Sequence, residues 1–156
     1  MKKVLLVVVV VFCTCHVVFA QETGKNEVKL NLLSTAAFLY PEVTYERLLA
    51  RDMGLGVSTA ISLKGSSYYI FQLTPYFRGY FGKNPHANFF IEANMALTGI
   101  RSAKQQRHVA DFGVGVAAGW RYLSSSGLVG EVYMGGGRTI DDRFYPRFGV
   151  SIGKRF

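Results

Sequence analysis

Nine charged side chains recur at alternate positions within segments that are otherwise rich in apolar residues. They are Lys29, Glu42, Glu46, Arg78, Glu92, Arg121, Glu131, Arg147 and Arg155. A pair of these carboxylates would suit general acid and base catalysis, but five of the nine side chains are cations at the same kind of alternate position. Opposite charges that face one interior pair with one another, because an unpaired buried ion is costly. The pattern therefore favours a structural ion-pair network, and we predict no catalytic residue.

Residue types for metal or nucleotide chemistry are sparse. The histidines are His16, His86 and His108, which are too few and too scattered in the sequence to form a metal cage. The glycine-rich stretch 113–119 lacks the Lys-Ser/Thr pair of a phosphate-binding loop and alternates as a strand does. We therefore predict neither a metal site nor a cofactor.

The sequence contains eight segments in which apolar residues alternate with polar or small ones, the period of a β-strand, and the nine charged positions fall in seven of them. These segments are 27–36, 39–48, 54–64, 68–81, 88–100, 110–123, 128–136 and 145–156. Most reach the roughly nine to eleven residues that a tilted membrane strand needs. No segment predicts an amphipathic helix. The sequence thus predicts an all-β fold, an eight-stranded antiparallel up-and-down transmembrane β-barrel.

The two phases of each strand differ in charge, and this difference assigns an inside and an outside. On the apolar phase the charges are Arg47 and Lys154, both close to a predicted strand end. An Arg or Lys that faces lipid near the midplane costs about 2–4 kcal/mol, and the cost falls toward the interface. We therefore predict that the apolar phase faces lipid. The charged phase would then plug the lumen, because eight strands enclose a space just wide enough for side chains to fill.

Residues at the strand ends predict turns and membrane interfaces. The connections 50–52, 82–85 and 124–127 contain Gly, Pro, Asn, Ser or Asp, which are typical of turns. Because the number of strands is even, these connections lie at the same end as both termini. Aromatic residues near strand ends are predicted to form interfacial girdles, namely Tyr40, Tyr80, Trp120, Tyr122 and Tyr145.

The first residues have the pattern of a secretory signal peptide: a basic start, an apolar run and a small residue, Ala20, before a polar cluster. We expect a signal peptide over 1–20 and a barrel over 21–156. Both cysteines, Cys13 and Cys15, lie in the signal, so no disulfide is expected. Without the two lysines of the signal, 16 basic and 10 acidic residues remain, a formal charge of 16 − 10 = +6. For an exported chain this dispersed charge favours anionic lipid and lipopolysaccharide as partners and predicts no nucleic acid.

The final strand, Tyr145–Phe156, ends on an aromatic residue and resembles the closing strand of bacterial outer-membrane β-barrels. In that family the terminal aromatic residue, here Phe156, is part of the signal read by the barrel-assembly machinery. The sequence departs from the family pattern at Lys154, where another apolar residue is usual. The first strand, Val28–Leu33, is similar to uncharacterised barrel families that begin K-x-N-L-L. The resemblance implies a small monomeric barrel in the bacterial outer membrane.

Three functions are compatible with this architecture, and a fourth, a solute channel, is disfavoured because eight strands close narrowly. The first, which the sequence favours, is a structural or envelope-interaction role. The second is a lipid-A-modifying enzyme; the deacylases of this kind carry a His on the barrel wall, and no predicted strand contains one. His108 with Asp111 and Ser102 faintly resembles the palmitoyl-transferring barrels. The third is a soluble ligand-binding barrel of the lipocalin type, in which the apolar side of every strand would face the interior and the charged side would face water.

Overall fold

A computed structural model describes residues 24–64, 69–82, 87–101 and 108–156. Its elements are β1 (Asn26–Asn31), α1 (Leu32–Phe38), β2 (Glu42–Leu48), β3 (Met53–Ile61), β4 (Tyr69–Phe81), β5 (Ala87–Arg101), β6 (His108–Leu123), β7 (Leu128–Thr139) and β8 (Phe144–Arg155). The expected signal peptide over 1–20 lies outside the described residues. Within the described ranges, no helix is long and apolar enough to cross a membrane.

The eight strands form one closed barrel in which each strand is antiparallel to the next in sequence. Closure occurs between β1 and β8, where Glu27 pairs with Arg155 and Asn31 with Ser151. The ladder continues to the final residue, since the backbone groups of Asn26 and Phe156 exchange hydrogen bonds of 3.0 and 2.9 Å. The predicted all-β, eight-stranded antiparallel up-and-down barrel is therefore confirmed.

Side chains alternate between the interior and the outer face along the strands, as a period of two requires. In β2, for example, every second residue is buried and the residues between them are exposed. The exposed residues of the strands are mainly large and apolar, whereas the buried ones include ten charged side chains. The barrel thus has a polar interior and an apolar exterior, the reverse of a soluble protein.

Two of the aromatic residues predicted for the membrane interfaces face the interior instead. Tyr80 is 6% exposed and Tyr145 is fully buried. The Tyr80 hydroxyl donates to Glu46, and the Tyr145 hydroxyl donates to Asn94 over 2.7 Å. The girdle prediction was wrong for these two because Tyr80 shares the phase of the inward-facing Arg78 and Tyr145 that of Arg147. Position along a strand does not override which face a residue occupies.

The connections divide into two sets, one at each end of the barrel. The terminal end carries the start of β1, the end of β8 and the connections after β2, β4 and β6; the helical end carries α1 and the connections after β3, β5 and β7. The β6–β7 turn needs Gly127, whose φ of 81° is rarely adopted by residues with side chains. The predicted turns 50–52 and 124–127 are present, whereas residues 83–85 of the third, 82–85, lie outside the described residues.

A short helix replaces the second half of the predicted first strand. β1 ends at Asn31, whose side chain accepts a hydrogen bond from the Ser34 backbone N–H at 3.1 Å and so caps α1. Leu39 ends the helix in the left-handed conformation with φ of 52°, and the N–H of Tyr40 donates to the Ser34 carbonyl. The prediction of a strand over 27–36 without any helix was wrong. It followed the hydrophobic alternation and did not consider that Asn31 can cap a helix.

The Asn31 side chain also joins the helix to the barrel interior. Its amide nitrogen lies 2.8 Å from Glu42 Oε2, 3.1 Å from the Tyr133 hydroxyl and 3.1 Å from the Phe148 carbonyl. We expect Asn31→Ala to lower the free energy of unfolding by about 2–3 kcal/mol, because it removes both a helix cap and a donor to a buried carboxylate. Urea unfolding of the purified barrel measures the change.

Asn26→Ala is the matched control, since Asn26 begins the same strand and, in the described part of the chain, its side chain accepts one hydrogen bond, from the exposed Tyr45 hydroxyl. Asn26→Ala should lower the free energy of unfolding by less than about 1 kcal/mol. Equal effects of the two substitutions would contradict the bridging role of Asn31.

Candidate functional site

Ten charged side chains meet inside the barrel in one connected set of ion pairs, which we call the interior network. All nine residues singled out in the sequence belong to it: Lys29, Glu42, Glu46, Arg78, Glu92, Arg121, Glu131, Arg147 and Arg155. The tenth is Glu27, which pairs with Lys29, Arg121 and Arg155. Sequence reasoning missed Glu27 although it has the same phase as Lys29.

Lys29 lies at the centre of three carboxylates. Its Nζ atom is 3.1 Å from Glu27 Oε2, 2.6 Å from Glu46 Oε2 and 2.7 Å from Glu131 Oε1. These three buried glutamates place oxygen atoms within 4.8 Å of one another, a spacing that would suit a metal ion. In this structure the Lys29 ammonium is the cation that they share, so the charge of the cluster is offset by the chain itself.

Arg78 links this cluster to the next carboxylate along the barrel. One of its terminal nitrogens lies 3.1 Å from Glu46 Oε2 and 2.9 Å from Glu131 Oε2, and its Nε lies 2.8 Å from Glu92 Oε2. The guanidinium also stacks on the Phe90 ring, with 4.2 Å from its central carbon to the ring centre. Arg78 is fully buried, and its charge is offset on three sides.

The network extends from here toward both ends of the barrel. Toward the helical end, Arg147 donates through Nε to Glu92 Oε1 at 2.9 Å and through a terminal nitrogen to Glu42. Toward the terminal end, Arg155 donates to Glu27 Oε1 at 2.9 and 2.5 Å. A continuous series of ion pairs therefore runs along the interior.

Arg121 is attached more loosely than the other cations. Its ion pair with Glu27 spans 3.3 Å, and its guanidinium lies 3.8 Å above the Tyr80 ring centre. Its Nε is buried and has no hydrogen-bond partner in the described part of the chain. The aromatic face therefore supplies part of the stabilisation that other members obtain from carboxylates.

Opposite charges balance within the interior network. Its five acids are Glu27, Glu42, Glu46, Glu92 and Glu131, and its five bases are Lys29, Arg78, Arg121, Arg147 and Arg155, so the sum is 5 − 5 = 0. Charges in a poorly solvated space stabilise one another only when each has partners of opposite sign and good geometry. The arrangement is that of a self-neutralising structural network, in which each carboxylate is already bound to a cation.

Tyrosine hydroxyls and inward glycines complete the interior. The Tyr76 hydroxyl donates to Glu46 Oε2 at 2.9 Å and supplements its ion pairs. A Cβ atom at Gly119 would lie 2.7 Å from the Phe90 ring, and one at Gly113 would lie 2.8 Å from the Tyr145 ring. These glycines are therefore needed for space: the large side chains from other strands lie directly over them.

The residues that faintly resembled a palmitoyl-transferring site are not assembled into one by any described contact. Asp111 is buried, and its Oδ2 accepts from Arg143 at 3.3 Å. Ser102 and the side chain of His108 lie outside the described residues. The predicted similarity therefore stays a prediction.

Comparison with solved structures finds other small barrels. The N-terminal β-barrel domain of Pseudomonas aeruginosa OprF is similar with a TM-score of 0.66 and 14% identity, over 85% of this chain and 96% of that one. Neisserial surface protein A is similar with a TM-score of 0.51 and 8% identity, over 85% of this chain and 94% of that one. At these identities the likeness shows the fold, a closed eight-stranded antiparallel barrel.

The sequence comparisons add no closer assignment. No protein-family model matches the chain, and the search of curated proteins finds no match. The similarity of the first strand to families that begin K-x-N-L-L therefore stays a prediction.

Removing the central cation should destabilise the barrel strongly. Lys29→Met keeps the length of the side chain but leaves Glu27, Glu46 and Glu131 without their shared partner. We expect the free energy of unfolding to fall by about 3–5 kcal/mol, the usual cost of breaking a buried ion pair from one side. Urea unfolding of the purified barrel measures this, with Lys25→Met, at an exposed lysine of the same chain, as the control.

Adding Glu131→Gln to Lys29→Met removes one of the uncompensated negative charges and should restore part of the lost stability. If Lys29→Met were as stable as Lys25→Met, the ion pairs of Lys29 would not hold the interior together.

Proposed function

We propose that the chain is an integral bacterial outer-membrane β-barrel with a structural or envelope-interaction role, whose lumen is closed by the interior network. The observation that carries this proposal is the inverted distribution of polarity. Charged residues fill the interior of a closed barrel, and large apolar side chains cover its outer wall. A wall of this kind is unfavourable in water and suits a hydrocarbon environment.

The few outward charges support a lipid-facing wall. Among strand residues with described side chains, the charged ones on the outer face are Arg47, Arg138 and Lys154. Arg47 and Lys154 lie near the terminal end and Arg138 near the helical end. Cations at these depths reach the headgroup region, where they cost little and meet anionic lipid.

The interior network supports a closed lumen rather than a channel. Its members come from seven of the eight strands and cross the interior, as in the contact between Lys29 of β1 and Glu131 of β7. An eight-stranded barrel offers only enough space for such side chains. A role in the envelope that depends on the outer wall and the ends of the barrel is therefore favoured over solute transport.

The same polarity argues against a soluble lipocalin-like barrel. Such a protein holds its ligand in an apolar interior and keeps its charges in water. Here Arg78, Glu46 and Glu92 are among the most deeply buried side chains, whereas Val116, Val132 and Met134 are exposed.

Export and assembly complete the proposal. The basic and apolar start of the sequence would direct export, and Phe156, whose backbone pairs with Asn26, would be read by the barrel-assembly machinery. All eight strands come from one chain, which supports a monomer. Its partners would be outer-membrane lipids and lipopolysaccharide.

Electrophoretic mobility with and without boiling tests the proposal, together with fractionation of the cells. A folded membrane barrel resists detergent until it is heated, so we expect the protein in the outer-membrane fraction with a mobility shift on boiling. Recovery in the soluble fraction without a shift would overturn the assignment.

A sharper test compares the cost of placing an arginine at the middle of the outer wall with its cost near one end. Val116 lies in the middle of β6, where it pairs with Ala93 and Gly136, whereas Leu128 begins β7 opposite Lys154. We expect Val116→Arg to cost about 2–4 kcal/mol and Leu128→Arg about 0–1 kcal/mol, because only the first buries a charge at the midplane. The fraction of heat-modifiable protein after refolding into phospholipid vesicles measures both.

Equal tolerance of the two substitutions would show that the outer wall does not face lipid.

A further inference from the structure

The wall of the barrel has a seam at the helical end between β8 and the chain that follows β1. The last pair between these strands joins Asn31 to Ser151, and β8 extends beyond it to Phe144 while paired only with β7. At the same point the chain leaves β1 and forms α1, which lies against β8. The Phe38 ring meets the Phe148 ring edge to face, with 5.8 Å between their centres. Helix packing here replaces the strand ladder.

The sequence of β8 suits the stretch that lacks hydrogen-bonded pairing with β1. Successive residues of a strand direct their backbone groups to opposite sides. The N–H of Arg155 donates toward β7, at Gly127, and that of Phe156 toward β1, at Asn26, so even-numbered residues of β8 face the seam. Pro146 is one of them and has no N–H to leave unpaired. The seam-facing carbonyl of Phe148 is bonded by the Asn31 amide.

A cavity of about 490 Å³ opens at this seam. It is lined by Arg147, which points inward, and also by Phe148, which points outward. Neighbouring residues of a strand direct their side chains to opposite faces, so the lining includes residues of both faces of β8 beside the edge that β1 does not cover. This lining is consistent with an opening between the interior at the helical end and the outer wall.

The two parts of the cavity differ in chemistry. Near the outer wall its lining is apolar, with Phe38, Pro146 and Phe148. Inside, Gln72 and Thr74 line it together with the ion pair of Glu42 and Arg147, and Lys64 lies at the rim. The charged residues of the lining are two cations and one anion, a sum of 2 − 1 = +1. An apolar outlet joined to a polar, net positive chamber suits an anionic amphiphile.

We propose that the seam binds a single-chain anionic amphiphile of the long-chain fatty-acid class. The acyl chain lies between α1 and β8, and the carboxylate reaches the chamber beside Lys64. The cavity volume is toward the lower end of the roughly 300–1,000 Å³ usual for small-molecule sites, which favours one chain over the several chains of lipid A. The inference rests on the proposed function, since the outlet must open to lipid.

The test uses a palmitate analogue with a photoreactive diazirine in mid-chain, added to the full chain purified from membranes into phospholipid nanodiscs. Labelled peptides are then mapped by mass spectrometry. We expect labelling of the segments that contain Phe38 and Pro146–Phe148 to exceed labelling at Phe77, on the opposite outer wall, by about tenfold. Even labelling around the wall, as for bulk lipid, would overturn the proposal.

Paired variants test the two parts of the site. Ala60 faces the cavity and Ala93 faces outward on β5, so Ala60→Phe should abolish the enrichment at the seam while Ala93→Phe preserves it. Lys64→Glu should lower labelling roughly fivefold, and Arg51→Glu, at the terminal end, should leave it unchanged.

A fatty-alcohol analogue carrying the same diazirine shows whether the anionic head matters. It should label the seam weakly and respond to neither charge variant; labelling equal to that of the acid would overturn the assignment of an anionic ligand. Stronger competition by lipid A than by unlabelled palmitate would overturn the single-chain assignment.

Gel mobility before and after boiling is recorded on each sample. Even labelling of an inserted, heat-modifiable barrel rejects the amphiphile site alone. Absence of insertion and of the mobility shift rejects the proposed membrane function, whatever the labelling pattern.

Discussion

The structure depends on one electrostatic constraint: charges enclosed by a narrow barrel must neutralise one another. Lys29 and Arg78 are buried more deeply than most apolar core residues, and each contacts three carboxylates. Removal of either one leaves three buried carboxylates without a cation that they share, which is costly. The interior network therefore restrains strands that are far apart in sequence, as a hydrophobic core does in a soluble domain.

The outer wall follows from the same constraint. Once the polar phase of every strand points inward, the alternation of a strand sends the apolar phase outward, and the closed ladder leaves no continuous free edge. Inward glycines such as Gly113 and Gly119 then have a spatial reason, since aromatic side chains lie over them. The polarity of the strand faces, the strand pairing and the packing of the interior all favour the same arrangement of the wall, as expected of a sequence that folds to one structure.

The seam between α1 and β8 is where this regularity ends. Asn31 stops the first strand, caps the helix and bonds the Phe148 carbonyl, while Pro146 removes a donor from the unpaired edge. If the barrel spans a membrane as proposed, a wall opened in this way exposes backbone groups to hydrocarbon, which is unfavourable. Local departures from an otherwise consistent pattern are where functional features are expected, and the cavity lies at this one.

The sequence by itself determined the architecture and most of the interior. Period-two alternation is a local property, so eight strands, their faces and nine members of the interior network could be derived from residue order alone. The same alternation also places Glu27, Tyr80 and Tyr145 inside the barrel. Aromatic residues near strand ends are typical of membrane interfaces, and this led to the wrong prediction for the two tyrosines.

Only the tertiary structure decided which charges meet. Glu131 shares Lys29 with Glu46 because closure brings β7 near β1, and no local pattern encodes such a contact. The helix after Asn31 and the seam that it creates were likewise decided by packing against β8, since a seven-residue segment is too short to be helical without tertiary support. Local periodicity fixes the face of a side chain, whereas its partner depends on how the chain closes.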